Sequence, residues 1–170
     1  MEFSTLQHII VDYEHINTEA LETLSELTNF SRLTLNVGYK RQATYHPIDW
    51  DRLDSCYPNG LEVAVNIIGL PQKKFDDVIE NVLREGMALT AIKVMYCKTI
   101  YTPLLEHLVR VYKETLQEVV WADCPYDSCD PLSRVIRSPH QTEDMSQYSF
   151  CQVNPFVLLC WQCTQLRRLE

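Results

Sequence analysis

Cys160 and Cys163, in the stretch CWQC, have the spacing of a disulfide-exchanging pair or of half a zinc site. A redox pair needs to follow a strand and open a helix, because the helix N-terminus is what lowers the thiol pKa. Here the pair falls late in NPFVLLCWQCTQ, a helical stretch opened by Asn154 as cap and Pro155 in the first turn. A zinc ion would need two more ligands, and the nearest, Cys129, His140 and Cys151, have no recognised spacing. The expected role of both thiols is therefore packing, since free cysteine is among the most buried residue types.

The other reactive residue types are equally dispersed. The five histidines stand at 8, 15, 46, 107 and 140 with no H-x-x-x-H pair and no nucleophile motif beside them. Asp76-Asp77 and Glu143-Asp144 read as a helix exterior and a loop. With four glycines and no G-x-x-x-x-G-K, G-x-G-x-x-G or EF-hand pattern, a phosphate-cradling or calcium loop is not expected. The sequence thus predicts no catalytic residue, no metal and no cofactor.

The elements that must position these side chains show a recurrence. LTAIKVMYC at 89 to 97 and LQEVVWADC at 116 to 124 share the spacing L-x-x-L-x-L-x-x-C, with Leu89, Ile92, Val94 and Cys97 matched to Leu116, Val119, Trp121 and Cys124. The same phase appears as Leu6, Ile9 and Val11, and as Phe30, Leu33 and Leu35. It also appears in GLEVAVNII if Gly60 takes the first place, which turns Val63 and Val65 inward, and in LRRLE with Leu166 and Leu169. Starting that copy at Leu61 would send both valines to solvent, because strand side chains alternate faces. Starts at 6, 30, 60, 89, 116 and 166 give steps of 24, 30, 29, 27 and 50 residues. These are leucine-rich-repeat spacings, with an insertion or a degenerate unit in the last step.

Between the strands the apolar period becomes helical. FDDVIENVLREG puts Phe75, Val78, Ile79, Val82 and Leu83 on one stripe, with Pro71 ahead and Gly86 as a C-terminal cap. TPLLEHLVRVYKE starts with Thr102 as cap and Pro103 in the first helical position, and NTEALETLSEL aligns Leu21, Leu24 and Leu27. PIDWDRLDSCY and DPLSRVIRS are shorter helices, and 138–150 is an exposed loop insertion. The helix ending in CWQC is apolar nearly all round, which predicts burial on more than one side. A short strand followed by a helix cannot bury its apolar face alone, so the units must stack. The predicted fold is α/β: a leucine-rich-repeat solenoid of irregular cysteine-containing repeats, parallel strands on the concave face and helices outside, one domain over 1–170.

Composition narrows the partners. The chain has 170 residues, 46% hydrophobic and 22% charged, and a formal net charge of −8. Its basic residues occur at most in pairs, which disfavours nucleic acid and anionic membrane surfaces. FVLLCW at 156 to 161 is too short to span a bilayer, and the N-terminus lacks a signal-peptide core. Seven cysteines, several in apolar phase, fit reduced thiols in the cytoplasm or nucleus.

The residues between the inward positions would face the concave side. They are His8, Ile10, Asp12, Tyr13, Arg32, Thr34, Asn36, Glu62, Ala64, Asn66, Lys93, Met95, Tyr96, Glu118, Val120 and Asp123. A mixed row with aromatic and arginine anchors suits a protein ligand. The expected contacts are His8, Asp12, Tyr13, Arg32, Asn36, Glu62, Asn66, Lys93, Tyr96, Glu118 and Asp123.

The two cysteine-bearing strands, together with NPFVLLCWQCTQLRRLE, resemble the irregular leucine-rich repeats of F-box proteins. The resemblance implies a substrate-recognition role in Skp1-cullin-F-box (SCF) ubiquitin ligases. In these an F-box holds Skp1, and through it the cullin, while the repeats hold the protein substrate. No F-box is found ahead of Leu6, and Leu169 has no helix after it to complete its unit. The chain is therefore expected to be a piece of a longer protein, truncated at both ends of the array. A leucine-rich scaffold without a link to ubiquitin, and a zinc-stabilised domain using Cys160 and Cys163, are the other readings.

Overall fold

The computed structural model describes residues 5–39, 45–98, 100–124 and 155–170. Six strands, β1 (His8–Asp12), β2 (Arg32–Gly38), β3 (Glu62–Ile68), β4 (Leu89–Met95), β5 (Glu118–Ala122) and β6 (Arg168–Leu169), form one sheet in sequence order. Every neighbouring pair is parallel. Parallel neighbours need crossover connections. Those described are α1 (Thr18–Leu24), α2 (Trp50–Asp54), α3 (Phe75–Asn81), α4 (Thr102–Tyr112) and α5 (Pro155–Gln162). The expected helix in DPLSRVIRS and the expected loop at 138–150 lie outside the described residues.

One face of the sheet is covered and the other is open. Leu33, Leu35, Val63, Val65, Ile92, Val94 and Val119 join a single buried cluster with Leu21, Trp50, Phe75, Leu104 and Leu108 from the helices. Gly60 as the start of the third unit is thus right in parity: Val63 and Val65 are fully buried while Glu62 is exposed. Val11, Leu35, Val65, Ile92 and Val119 line up across the strands.

The register departs from the repeat template at one place. Val63 pairs with Leu89 but Ala64 pairs with Ala91, so Thr90 is an extra residue on β4. The odd spacing from Leu89 to Ile92 requires it, since two residues three apart reach the same face of a strand only across a bulge. Val65 therefore lies beside Ile92, two residues from the template match of Val63 with Ile92. A shift of two preserves faces, so the burial pattern survives.

The strand exits also repeat. Gly69, Tyr96 and Asp123, each following its strand, have φ of 61°, 56° and 54°. This left-handed residue turns the next one inward, where Leu70 and Cys97 are buried and Cys124 is half-buried. The Cys97 thiol donates to the Met95 carbonyl and the Cys124 thiol to the Ala122 carbonyl, each at 3.4 Å, and burial raises the pKa of both. Small, weakly polar side chains thus occupy the expected turn positions.

The helices differ from expectation at their ends. Asn17 and Asp49 cap α1 and α2, their side chains accepting from the amides of Ala20 and Arg52 at 2.9 and 3.1 Å. In α4 the helix begins at Thr102 itself, leaving Tyr101 at the cap position with no side-chain bond that caps the helix. In α3 the helix stops at Asn81, and Gly86 is not its cap but a separate turn with φ of 85°. A Cβ on Gly86 would sit 2.6 Å from Asp51 Oδ1 and 3.3 Å from Trp50 Cβ. Gly86→Ala is expected to lower stability by about 1–2 kcal/mol, mostly from the left-handed backbone, measured as a shift in urea midpoint. The Asp51 carboxylate can swing away, whereas the Trp50 Cβ cannot.

His107 on α4 is buried with both ring nitrogens engaged. Nε2 lies 2.7 Å from the Leu83 carbonyl, and Nδ1 lies 3.2 Å from an Arg110 guanidinium nitrogen. This fixes the neutral tautomer: Nε2–H donates to Leu83 and Nδ1 accepts from Arg110. Burial, foremost, and the Arg110 charge lower its pKa, against the raising effect of the Leu83 bond and of Glu85. The unfolded chain then binds the proton more readily, so stability is complete above about pH 6.5 and falls as pH drops below it. Urea midpoints at pH 7.5 and 5.5 should differ less in His107→Gln than in the wild type.

Candidate functional site

Because strand side chains alternate, covering one face with helices leaves the other as a surface on which residues of successive strands stand side by side. At the start of the strands, His8, Arg32 and Glu62 are paired neighbours, all exposed. His8 Nε2 lies 2.8 Å from the Thr34 hydroxyl. Two rungs on, Asp12, Asn36, Asn66 and Lys93 align across β1 to β4. There the Asn66 amide donates to Asn36 Oδ1 at 3.0 Å, and the Asn36 amide donates to Asp12 Oδ1 at 3.3 Å. Asparagines matched across adjacent strands make such a ladder because each amide both donates and accepts.

The far side of the face is an ion cluster. The Glu118 carboxylate lies 3.5 Å from Lys93 Nζ and 3.1 Å from an Arg168 nitrogen, and Arg168 also binds Glu170 at 2.7 Å. That last contact raises the pKa of Arg168 and lowers that of Glu170. Both groups are fully exposed, so the cluster orders side chains more than it stabilises the fold.

Apolar side chains rise out of this polar field. Ile10 and Tyr96 are each 64% exposed, and Ile68 37%. Tyr96 and Asp123 stand at the C-terminal rim in the left-handed conformation. Aspartate tolerates that region; a bulky aromatic there is uncommon.

Ten of the eleven expected contact residues reach the open face or its rim, and Tyr13 does not. Tyr13 starts a single 3-10 turn after β1 and is 2% exposed. Its ring meets Tyr45 edge-on, and its hydroxyl lies 2.8 and 2.9 Å from the carbonyls of His46 and Asn81. Burial pushes its pKa up to about 12. Alternation itself places Tyr13 inward, since Asp12 before it faces out; β1 ends at Asp12, and the 3-10 turn that follows keeps the ring in the core. The bulge in β4 sets Lys93 beside Asn66.

Ile68 and Arg168 belong to the surface and were not expected there. β2 and β3 run past the six-residue template to Gly38 and Ile68. The signal was the continued alternation of Val37 and Ile67 with their neighbours.

The CWQC pair is split by its helix. Cys163 is buried against the core, with its pKa raised by burial, while Cys160 is exposed. Cys129, His140 and Cys151 lie outside the described residues. The helix is not buried on several sides: Leu159 is fully buried, but Val157 is 37% and Trp161 74% exposed. Asp12, Glu14 and His15 bring ligand atoms within 4.8 Å of one another, all on the exposed surface. Among the described residues no helix is long and apolar enough to cross a membrane. Searched against family models, curated proteins and solved structures, the chain shows no match in any of the three, so the open face is the ground on which a function must be argued.

Proposed function

We propose that the chain is a non-catalytic protein-binding module of leucine-rich-repeat type whose open sheet face, on the concave side, holds its ligand. We further propose that it is the substrate-recognition part of an SCF ubiquitin ligase, joined to Skp1 and cullin through an F-box elsewhere in the full-length protein. Tyr96 carries the binding reading. A tyrosine held at φ 56° is strained, and this one is 64% exposed with no core to repay the strain. Large rings displayed beside a polar ladder are what protein interfaces use as anchors. The ubiquitin part is supported by the resemblance of the cysteine-bearing strands and of NPFVLLCWQCTQLRRLE to F-box repeats.

The test is co-purification of the full-length protein with Skp1. A stoichiometric complex is expected, formed equally well by open-face variants. A full-length protein that captures partners through this face but never binds Skp1 would be a repeat scaffold unrelated to ubiquitin.

A further inference from the structure

We propose that the open face binds an extended segment of a partner protein that carries a lysine or arginine at the β1 end and a large apolar residue against Tyr96. The inference rests on the protein-binding reading above and adds the chemistry of the partner. At the C-terminal ends of β1 to β3 lies a cavity of about 190 Å³ whose walls include Tyr45, Ile68, Asn36, Asp12 and Glu14. Tyrosine and isoleucine suit the methylene stem of a long basic side chain, and the Asp12 carboxylate suits its head; Glu14 itself lies 3.3 Å from the His15 ring.

The two sides of the face are unlike in charge. Glu118 already faces Lys93 and Arg168. Asp12 instead accepts its hydrogen bond from the neutral Asn36 amide, at a long 3.3 Å. A cation at Asp12 therefore meets a carboxylate that no described cation neutralises, on a chain whose net charge of −8 draws basic partners.

Spacing follows from the sheet. The cavity is centred near β2 and Tyr96 follows β4, so two to three strand intervals, about 10–14 Å, separate them. An extended polypeptide crosses that distance in about three or four residues. The partner segment should thus hold its basic and apolar residues three or four positions apart.

Random ten-residue peptides displayed on phage and selected on the purified chain test this. EDTA in the buffer keeps a metal bridging Asp12, Glu14 and His15 from being read as peptide binding. Enrichment of Lys or Arg three or four places from an aromatic or large aliphatic residue is expected. For the synthetic form of the most enriched peptide, changing the basic residue to norleucine should weaken binding about fivefold, the scale of a partly exposed ion pair. Asp12→Asn keeps the acceptor for Asn36 and removes the charge. It should weaken the parent peptide by the same factor, leave the norleucine peptide unaffected, and not move the melting temperature. Enriched peptides without a basic residue, bound in a Tyr96-dependent way, would overturn this inference and leave the protein-binding reading standing. Peptides indifferent to both Tyr96 and Asp12, or no enrichment at all, would remove both.

Discussion

Ile92→Ala is expected to lower the free energy of unfolding by about 2–5 kcal/mol, and Leu108→Ala by a similar amount. Both side chains are fully buried in the one cluster between sheet and helices, Ile92 at the middle of β4 and Leu108 on α4. Ile92 has strands on both sides, paired with Val65 and Val119, so the hole left by truncation is walled by elements that cannot easily close on it. Urea denaturation reads the effect as a lower midpoint at unchanged slope. Ile10→Ala is the matched control: the same substitution on the open face, at a side chain 64% exposed, should shift stability by no more than about 0.5 kcal/mol. Equal midpoints for Ile92→Ala and Ile10→Ala would mean that the two faces of the sheet are wrongly assigned.

That contrast rests on a parity readable in the amino-acid sequence. Period-two alternation, with the choice of Gly60 over Leu61, sorts Val63 and Val65 from Glu62 and Asn66 correctly, because a strand has only two faces and one must be apolar. The parallel order was likewise implied by helical stretches between strands, since parallel neighbours require crossovers. What parity could not reveal was where each strand stops. Tyr13 follows outward-facing Asp12, so parity already places it inward; what is hidden is that β1 ends there, in a turn with no glycine or proline to announce it. Nor could a template aligned on Leu89 show that Thr90 is extra, because a two-residue shift leaves every inward residue inward. The last helix failed for another reason. Apolar residues all round a helix signal burial only if something covers each side, and composition does not say what covers Val157 and Trp161.

On the face that parity exposes, Tyr96→Ala should weaken capture of the proposed protein ligand by about 2 kcal/mol or more, roughly thirtyfold in Kd, with Arg32→Ala losing a comparable amount. Truncation is most costly where a rigid ring or a guanidinium is the anchor. Tyr96 is the ring the backbone strains to display, and Arg32 stands exposed between His8 and Glu62. Stability must be separated from binding, and the left-handed backbone at residue 96 does so. Tyr96→Gly removes the ring at the one backbone geometry glycine adopts freely, so it should lose capture as fully as alanine while keeping or raising the melting temperature. Tyr13→Phe provides the opposite pattern. It removes the hydroxyl that meets the carbonyls of His46 and Asn81, so its melting temperature should fall while capture by the folded protein persists. Binding measured by calorimetry beside thermal melts distinguishes the two patterns. Full capture by Tyr96→Gly and Arg32→Ala, with loss in variants of the helix layer such as Glu106→Ala, would move the ligand surface to the other side of the molecule.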